Sequence, residues 1–435
     1  MRRAIFALAL FPLTLAAQAP ADGGARPITL EEAVRLARRN APATVQARGT
    51  ERTSRAAVRS AYAAFLPNVS VSAGSIRQFT NDQTFERDGQ IVTLNPEPWS
   101  YSTGLNFNVD LFDGGRRYFN IGSAKAAVDA AEANDVTQQF RVALDVKQQF
   151  FNVLAARESE AAARAQLGQA EQQLRAASAR VAAGVATKSD SLRSVIQVGN
   201  AQLALLTAEN NLRSANAALT RFVATPFLVT ASPSDTVDRE AAIPDSADLA
   251  RFAIEGPAVR QAEANLTAAK ALRRAAQAPY LPSVTASYFR GGSGIDRFGF
   301  GGDSYSYNGS LRFALSYPLF NQFNREENNV RASVARDNAE AALRDARFAA
   351  QQSLVQFLGI RGTAEQRIRI QQASVAAAEE DLRVQQQRYG LGASTLLDLL
   401  TSQTQLDQAR AALIAARYDY RVANAQLEAL IGREF

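Results

Sequence analysis

The sequence predicts an internally duplicated α+β chain in which four β-strands are combined with long antiparallel helices of coiled-coil character. Three observations carry this. One turn motif occurs twice, as Arg180-Val-Ala-Ala-Gly184-Val-Ala-Thr187-Lys-Ser-Asp190 and as Arg388-Tyr389-Gly-Leu-Gly392-Ala-Ser394-Thr395-Leu-Leu-Asp398. Each copy lies between long runs rich in Ala, Gln, Glu and Arg, all strong helix formers, and none of the 14 prolines falls inside these runs, where one would cost about 3 kcal/mol. Two pairs of shorter segments instead alternate apolar and polar residues, the period of a strand.

The repeated motif spells a helix stop followed by a helix start. Arg180 and Arg388 place a cation in the last turn, where the carbonyl end of the helix dipole favours it, and Gly184 and Gly392 supply the left-handed residue that ends a helix. Thr187 with Asp190, and Thr395 with Asp398, have the spacing of a capping box for the following helix. Both stretches are therefore expected as tight turns between antiparallel helices.

The chain of 435 residues contains no His, no Cys and one Met, so Ser-His-Asp and Cys-His pairs and His- or thiolate-ligated metals are excluded. No acidic cluster has the spacing of an oxygen-ligated site. Neither an enzyme, a cofactor nor a bound metal is expected. Residues 1–19 read as a secretory signal peptide, with Arg2 and Arg3, an apolar run over residues 4–15 and cleavage after Ala17 or Ala19. That run is too short to remain as a membrane helix, and no Cys follows it to carry a lipid. Without Arg2 and Arg3 the formal charge falls from +6 to about +4. The cations are scattered along helices beside acids, which argues for solvated faces and against nucleic acid.

In order, residues 28–64 read as helix with Thr29 as N-cap and a break at Pro42, and Leu66-Pro67 then stops it. Residues 69–80 and 102–111 read as strands, the second with Leu105, Phe107, Val109 and Leu111 on one face and Gly104, Asn106, Asn108 and Asp110 on the other. A polar loop, 81–98, joins them and is closed by Trp99. Helices follow at 118–183 and 188–222. The second half repeats the order: helix 246–278 with a break at Pro257, strands 284–289 and 307–317, helices 326–388 and 396–430. Leu319 lies 208 positions after Leu111, and Gly392 lies 208 after Gly184. The expected organisation is residues 20–222 as the first repeat, 223–244 as a linker and 245–435 as the second repeat.

Four strands cannot close a barrel, and an open sheet edge is not tolerated in hydrocarbon, so strands that enter a membrane must be shared among several chains. Trp99, Tyr101, Tyr305 and Tyr307 near the strand ends are placed like an aromatic girdle. The order of elements, the Leu66-Pro67 and Leu281-Pro282 entries to the strands, Gln149-Phe-Phe-Asn-Val-Leu154 and above all the Arg388 to Leu400 motif resemble the TolC family of outer membrane efflux proteins.

The resemblance implies a homotrimer with a shared twelve-stranded barrel in outer membrane lipid, continuous with a periplasmic barrel of twelve long helices. Such a protein is a passive exit duct for efflux or type I secretion, docked on a periplasmic adaptor and an inner-membrane pump. Family members close the periplasmic end with the hairpin tips. Here these would be Arg388, Tyr389, Gly392, Ser394, Thr395, Asp398 and Thr401, with Arg180, Gly184, Thr187 and Asp190 as the equivalent hairpin. Thr401 stands where some relatives carry a second acid and Ser394 where some carry Arg, so a gate of this pattern has fewer ionic contacts. The rival readings are a secreted coiled-coil scaffold without a channel, which leaves the strand pairs unexplained, and a carboxylate glycosidase, which lacks two acids flanking a pocket.

Overall fold

Proline and glycine set the boundaries of the elements in the computed structural model, which describes residues 25–77, 79, 83–87, 90–94, 99–232, 246–295 and 305–433. The signal-peptide region and the linker prolines Pro233 and Pro244 lie outside the described residues. The chain opens with β1 (Arg26–Ile28), α1 (Leu30–Asn40) and α2 (Pro42–Ala63). The break falls at Pro42, which starts α2, and Thr29 accepts the amide of Glu32 at 3.2 Å. Strands β2 (Asn68–Arg77), β3 (Gln83–Arg87), β4 (Gln90–Leu94) and β5 (Trp99–Asp113) precede α3 (Arg116–Ala182) and α4 (Lys188–Val223). After β6 (Val229–Ala231) come α5 (Ser246–Ile254) and α6 (Pro257–Ala276), strands β7 (Ser283–Ile295) and β8 (Tyr305–Ser316), and helices α7 (Asn324–Gly390) and α8 (Leu396–Ile431).

Four points differ from the sequence reading. Ile28 belongs to a strand, not a helix, and β1 pairs in parallel with β6, which lies within the stretch read as a linker. The expected polar loop holds the antiparallel hairpin β3–β4. Strands β5 and β7 are longer than expected. The fourth is a bulge. Asp110 pairs with Thr285 and Phe112 with Val284, so Leu111 is left over and the apolar row resumes at Phe112.

The main sheet is antiparallel in the order β2-β5-β7-β8. Its register lines up Val69, Phe107, Tyr288 and Leu311, then Val109, Ala286 and Phe313, on one face. The opposite face carries Asn68, Asn108, Ser287 and Arg312 in one row. The apolar face is open: Leu311, Phe313 and Leu315 are 64%, 67% and 72% exposed. Trp99 stacks on Tyr101 at 6.3 Å, and Tyr305 meets Tyr307 edge-on at 5.0 Å. The Tyr305 hydroxyl donates to the Gly292 carbonyl at 3.0 Å and lies 2.5 Å from the Thr103 hydroxyl, so its ring covers a position where any Cβ would clash.

The described residues fall into two compact units, those within 25–36 and 149–232 and those within 37–148 and 246–433. In the smaller unit Phe150, Val153, Leu154, Leu219, Val223, Val229 and Ala231 are buried. Arg157 donates to the Ala231 carbonyl at 2.9 Å, and the Val229 amide donates to the Thr220 hydroxyl at 3.0 Å. In the larger unit Leu249, Ala253, Leu354, Leu427 and Ile431 form one core cluster, and Val259, Leu266, Leu343 and Ala350 form another. These clusters fix α5 and α6 against the long α7–α8 pair. Lys147 and Glu428 form an ion pair with side chains 16% and 14% exposed. Arg117, also buried, bonds Asp113 and donates to the Ala64 carbonyl at 3.2 Å. No helix among the described residues is long and apolar enough to cross a membrane.

Candidate functional site: the two hairpin tips

Each tip is built by backbone chemistry that the side chains then complete. At the first, Gly184 has φ +72°, its amide donates to the Val181 carbonyl at 3.0 Å, and the Val185 amide donates to the Arg180 carbonyl at 3.0 Å. At the second, Gly392 also has φ +72°, its amide donates to Tyr389 at 3.2 Å, and the Ala393 amide donates to Arg388 at 2.8 Å. Both are Schellman closures, in which a left-handed glycine lets two amides fold back on the last turn. The Arg388 guanidinium adds a bond to the Ala393 carbonyl at 3.3 Å.

The restart is reciprocal in both tips. The Asp190 carboxylate accepts from the Thr187 amide at 3.2 Å and from its hydroxyl at 2.8 Å, while the Asp190 amide donates to that hydroxyl oxygen at 3.3 Å. Asp398 repeats this with Thr395 at 2.9, 2.7 and 3.2 Å. Two orphan donors of each new helix are satisfied at once. The bond from the threonine hydroxyl holds both carboxyls below the usual aspartate range, with the threonine amide next.

The two tips are not identical. Ser394 donates toward the Asp398 carboxylate at 3.2 Å and toward Gln385 at 3.0 Å, and it further lowers the Asp398 pKa. Ala186 holds that place in the first tip and has no such group. Thr401, in the place of a second acid, turns its hydroxyl back to the Leu397 carbonyl at 2.9 Å. Tyr389 packs on the cluster Leu382, Leu396, Leu399 and Leu406 just behind the tip. Leu391, at the turn, is 85% exposed, and Leu397 is 62% exposed.

One turn deeper the sequence reading missed a polar layer. Buried Ser402 donates to Asp381 across the α7–α8 seam, and Gln403 is also buried. Asp407 is held above the usual range mainly by burial, with Arg410 and a bond from Gln403 pulling the other way. The signal was legible: Leu396, Leu399, Gln403 and Leu406 have core spacing, and one of the four is polar. Among the described residues no group of three or more Asp, Glu, His or Cys side chains could hold a metal.

Comparison with known proteins agrees with this architecture. A family model described as outer membrane efflux protein matches residues 33–225 and 251–433, one stretch in each half. The chain is 26% identical over 387 residues to the pyoverdine export outer membrane protein OpmQ of Pseudomonas aeruginosa, covering 88% of this chain and 79% of that one. It is 30% identical over 343 residues to protein CyaE of Bordetella pertussis, covering 74% and 66%. The crystal structure of the CmeC outer membrane channel of Campylobacter jejuni superposes with a TM-score of 0.77 at 17% identity over 99% of this chain and 94% of that one. Two matched halves, each with its strands and its capped hairpin, place this chain in the outer membrane efflux protein family, as an exit duct of the outer membrane.

Proposed function

We propose that this duct works as a homotrimer docked through its hairpin tips on a periplasmic adaptor, passing substrate from an inner-membrane pump to the exterior without chemistry of its own. The observation that carries the trimer is the sheet order. Strands β2 and β8 are both edges, so each chain brings two open ladders that hydrocarbon would penalise unless another copy pairs with them. Exposed apolar side chains on the long helices point the same way. Leu192, Ile196, Leu203 and Leu206 on α4, and Phe348 and Val355 on α7, are each more than half exposed in the single chain.

Docking at the tips is supported by Leu391 and Leu397, apolar groups held out from a rigidly capped turn, which an adaptor would cover. The name of OpmQ ties that relative to pyoverdine export. For this chain the reading covers drug, metal and protein cargo alike, because a passive duct leaves that choice to its pump and adaptor. Without His, Cys or an internal Met the duct itself offers no soft-metal ligand, which leaves a metal-pump partner open. Cross-linking in detergent combined with conductance in planar bilayers tests the reading. A trimer that conducts is expected, and a conducting monomer would overturn it.

A further inference from the structure

The apolar face of the main sheet carries a charge that nothing around it answers. Arg290 on β7 stands in a row with Leu105 on β5 and Gly309 on β8. The flanking rows on that face are Phe107, Tyr288 and Leu311 on one side and Thr103, Gly292 and Tyr307 on the other. Arg312, by contrast, belongs to the polar face. Arg290 is exposed and makes no hydrogen bond, ion pair or ring contact among the described residues. Arg77 shares its face but has ring partners, lying 5.0 Å over Phe79 and 5.7 Å over Trp99.

The sheet itself holds no counter-ion for this group. The described residues of β2, β5, β7 and β8 that share the face include no Asp or Glu, because Asp110 and Asp113 pair in rows of the opposite face. A second copy joined at an edge strand presents the same set, so it adds no acid. A guanidinium facing hydrocarbon without an anion is costly, and the more so the deeper it lies. The balancing charge must therefore come from the lipid side.

The level of Arg290 says which anion is within reach. Tyr307 lies two residues from Gly309, toward the end of the sheet remote from the long helices. That is about 7 Å along the strand, or about 5 Å along the membrane normal at a tilt near 40°. An arginine stem follows an apolar surface over such a distance and lifts its head to the tyrosine level, where lipid headgroups lie. The flank is low on the β8 side, where a Cβ on Gly309 would meet only the Phe289 carbonyl, at 3.5 Å.

We propose that Arg290, with the shallow berth over Gly309, binds the phosphate of an anionic lipid in the leaflet remote from the long helices. This inference rests on the main sheet lying in the membrane. The guanidinium fork matches two oxygens of a phosphate that no ammonium of its own lipid masks. The acyl chains of that lipid then lie along Leu311, Phe313 and Leu315, which are exposed on the same strand.

The test titrates diphosphoryl lipid A, as the anionic probe, into the full-length protein in detergent and follows the melting temperature. Phosphatidylcholine and inorganic phosphate are separate arms. Lipid A should raise the melting temperature of the parent and of Arg312→Gln at the same concentration, whereas Arg290→Gln should need about tenfold more. Gly309→Leu fills the berth while keeping the charge, and it should also weaken the response. A curve unchanged from the parent in either Arg290→Gln or Gly309→Leu overturns the site, as does an equal rise with phosphatidylcholine. An equal rise with inorganic phosphate would make it a free-anion site and overturn the lipid. Leu311→Trp in a Trp99→Phe background reads the underlying placement separately in phospholipid vesicles. Quenching by an acyl-chain nitroxide is expected there whether or not Arg290 binds phosphate, and its absence would overturn the membrane placement itself.

Discussion

Gly114 runs so close to Ala278 that a Cβ on it would stand 2.3 Å from the Ala278 carbonyl oxygen. The contact joins the start of α3 to the entry of β7, and it also requires φ +69°. Gly114→Ala should therefore cost more than about 2 kcal/mol, from backbone clash and strain together. Gly184→Ala, with φ +72° but nothing within 4 Å, should cost only about 1 kcal/mol. Denaturant unfolding of the two variants checks the order, and equal losses would remove the clash from the account.

The capped carboxylates give a pH prediction. Both Asp190 and Asp398 have pKa values lowered in the folded chain, first by the threonine hydroxyl. The stabilisation they bring is thus fully present above the ordinary aspartate value of about 3.9 and is lost as pH falls through the folded values. Ser394→Ala should raise the Asp398 titration toward its ordinary range and leave Asp190 unmoved, as read by NMR titration of the two carboxyls. Movement of both would mean that the effect is not local.

Charge and cap at Asp398 separate in a second variant. Asp398→Asn keeps a capping side chain and removes the charge, so a purely structural role predicts unchanged channel behaviour. Three copies converging at the periplasmic mouth would instead make an acidic ring, and the variant should then lose cation selectivity and block by multivalent cations. Asp190→Asn is the control with the same cap. Single-channel recordings of parent and variants decide, and identical traces would leave Asp398 as a cap alone.

The long hairpins were legible because their punctuation is local: a left-handed glycine, a Thr-x-x-Asp box and the absence of proline each act within one turn. The alternation of the strands was equally readable. What escaped was tertiary or too short to have a period. Three-residue β1 and β6 carry no alternation, and only their pairing makes them strands. The bulge at Leu111 is a register event that appears only when β5 meets β7. The β3–β4 hairpin is different, because Asp88-Gly89 is a two-residue turn signal that stands in the sequence. At the tips, the capping bonds followed from residue spacing, whereas the Ser402–Asp381 contact needed two helices in register.

The ion pair between Lys147 and Glu428 links residues 281 positions apart with little water around either side chain. Glu428→Gln or Lys147→Met alone should destabilise by about 3–5 kcal/mol, since each removes one half of a largely buried ion pair. The double replacement should cost less than the sum of the two. Thermal melts of the three variants in detergent test this, and additive losses would show that the pair is not coupled.

The parallel pairing of β1 with β6 also sets an order of events. A ribosome delivers Arg26–Ile28 early, yet its hydrogen-bond partners in Val229–Ala231 are made only after the whole intervening helical hairpin exists. Parallel pairs always need a crossover, and contacts of such separation form late. During that wait the chain carries an unpaired edge, a hazard for association with other nascent chains. A strand of only three residues is a small template, so the shortness that hid β1 from pattern reading also limits what it can capture before its partner arrives.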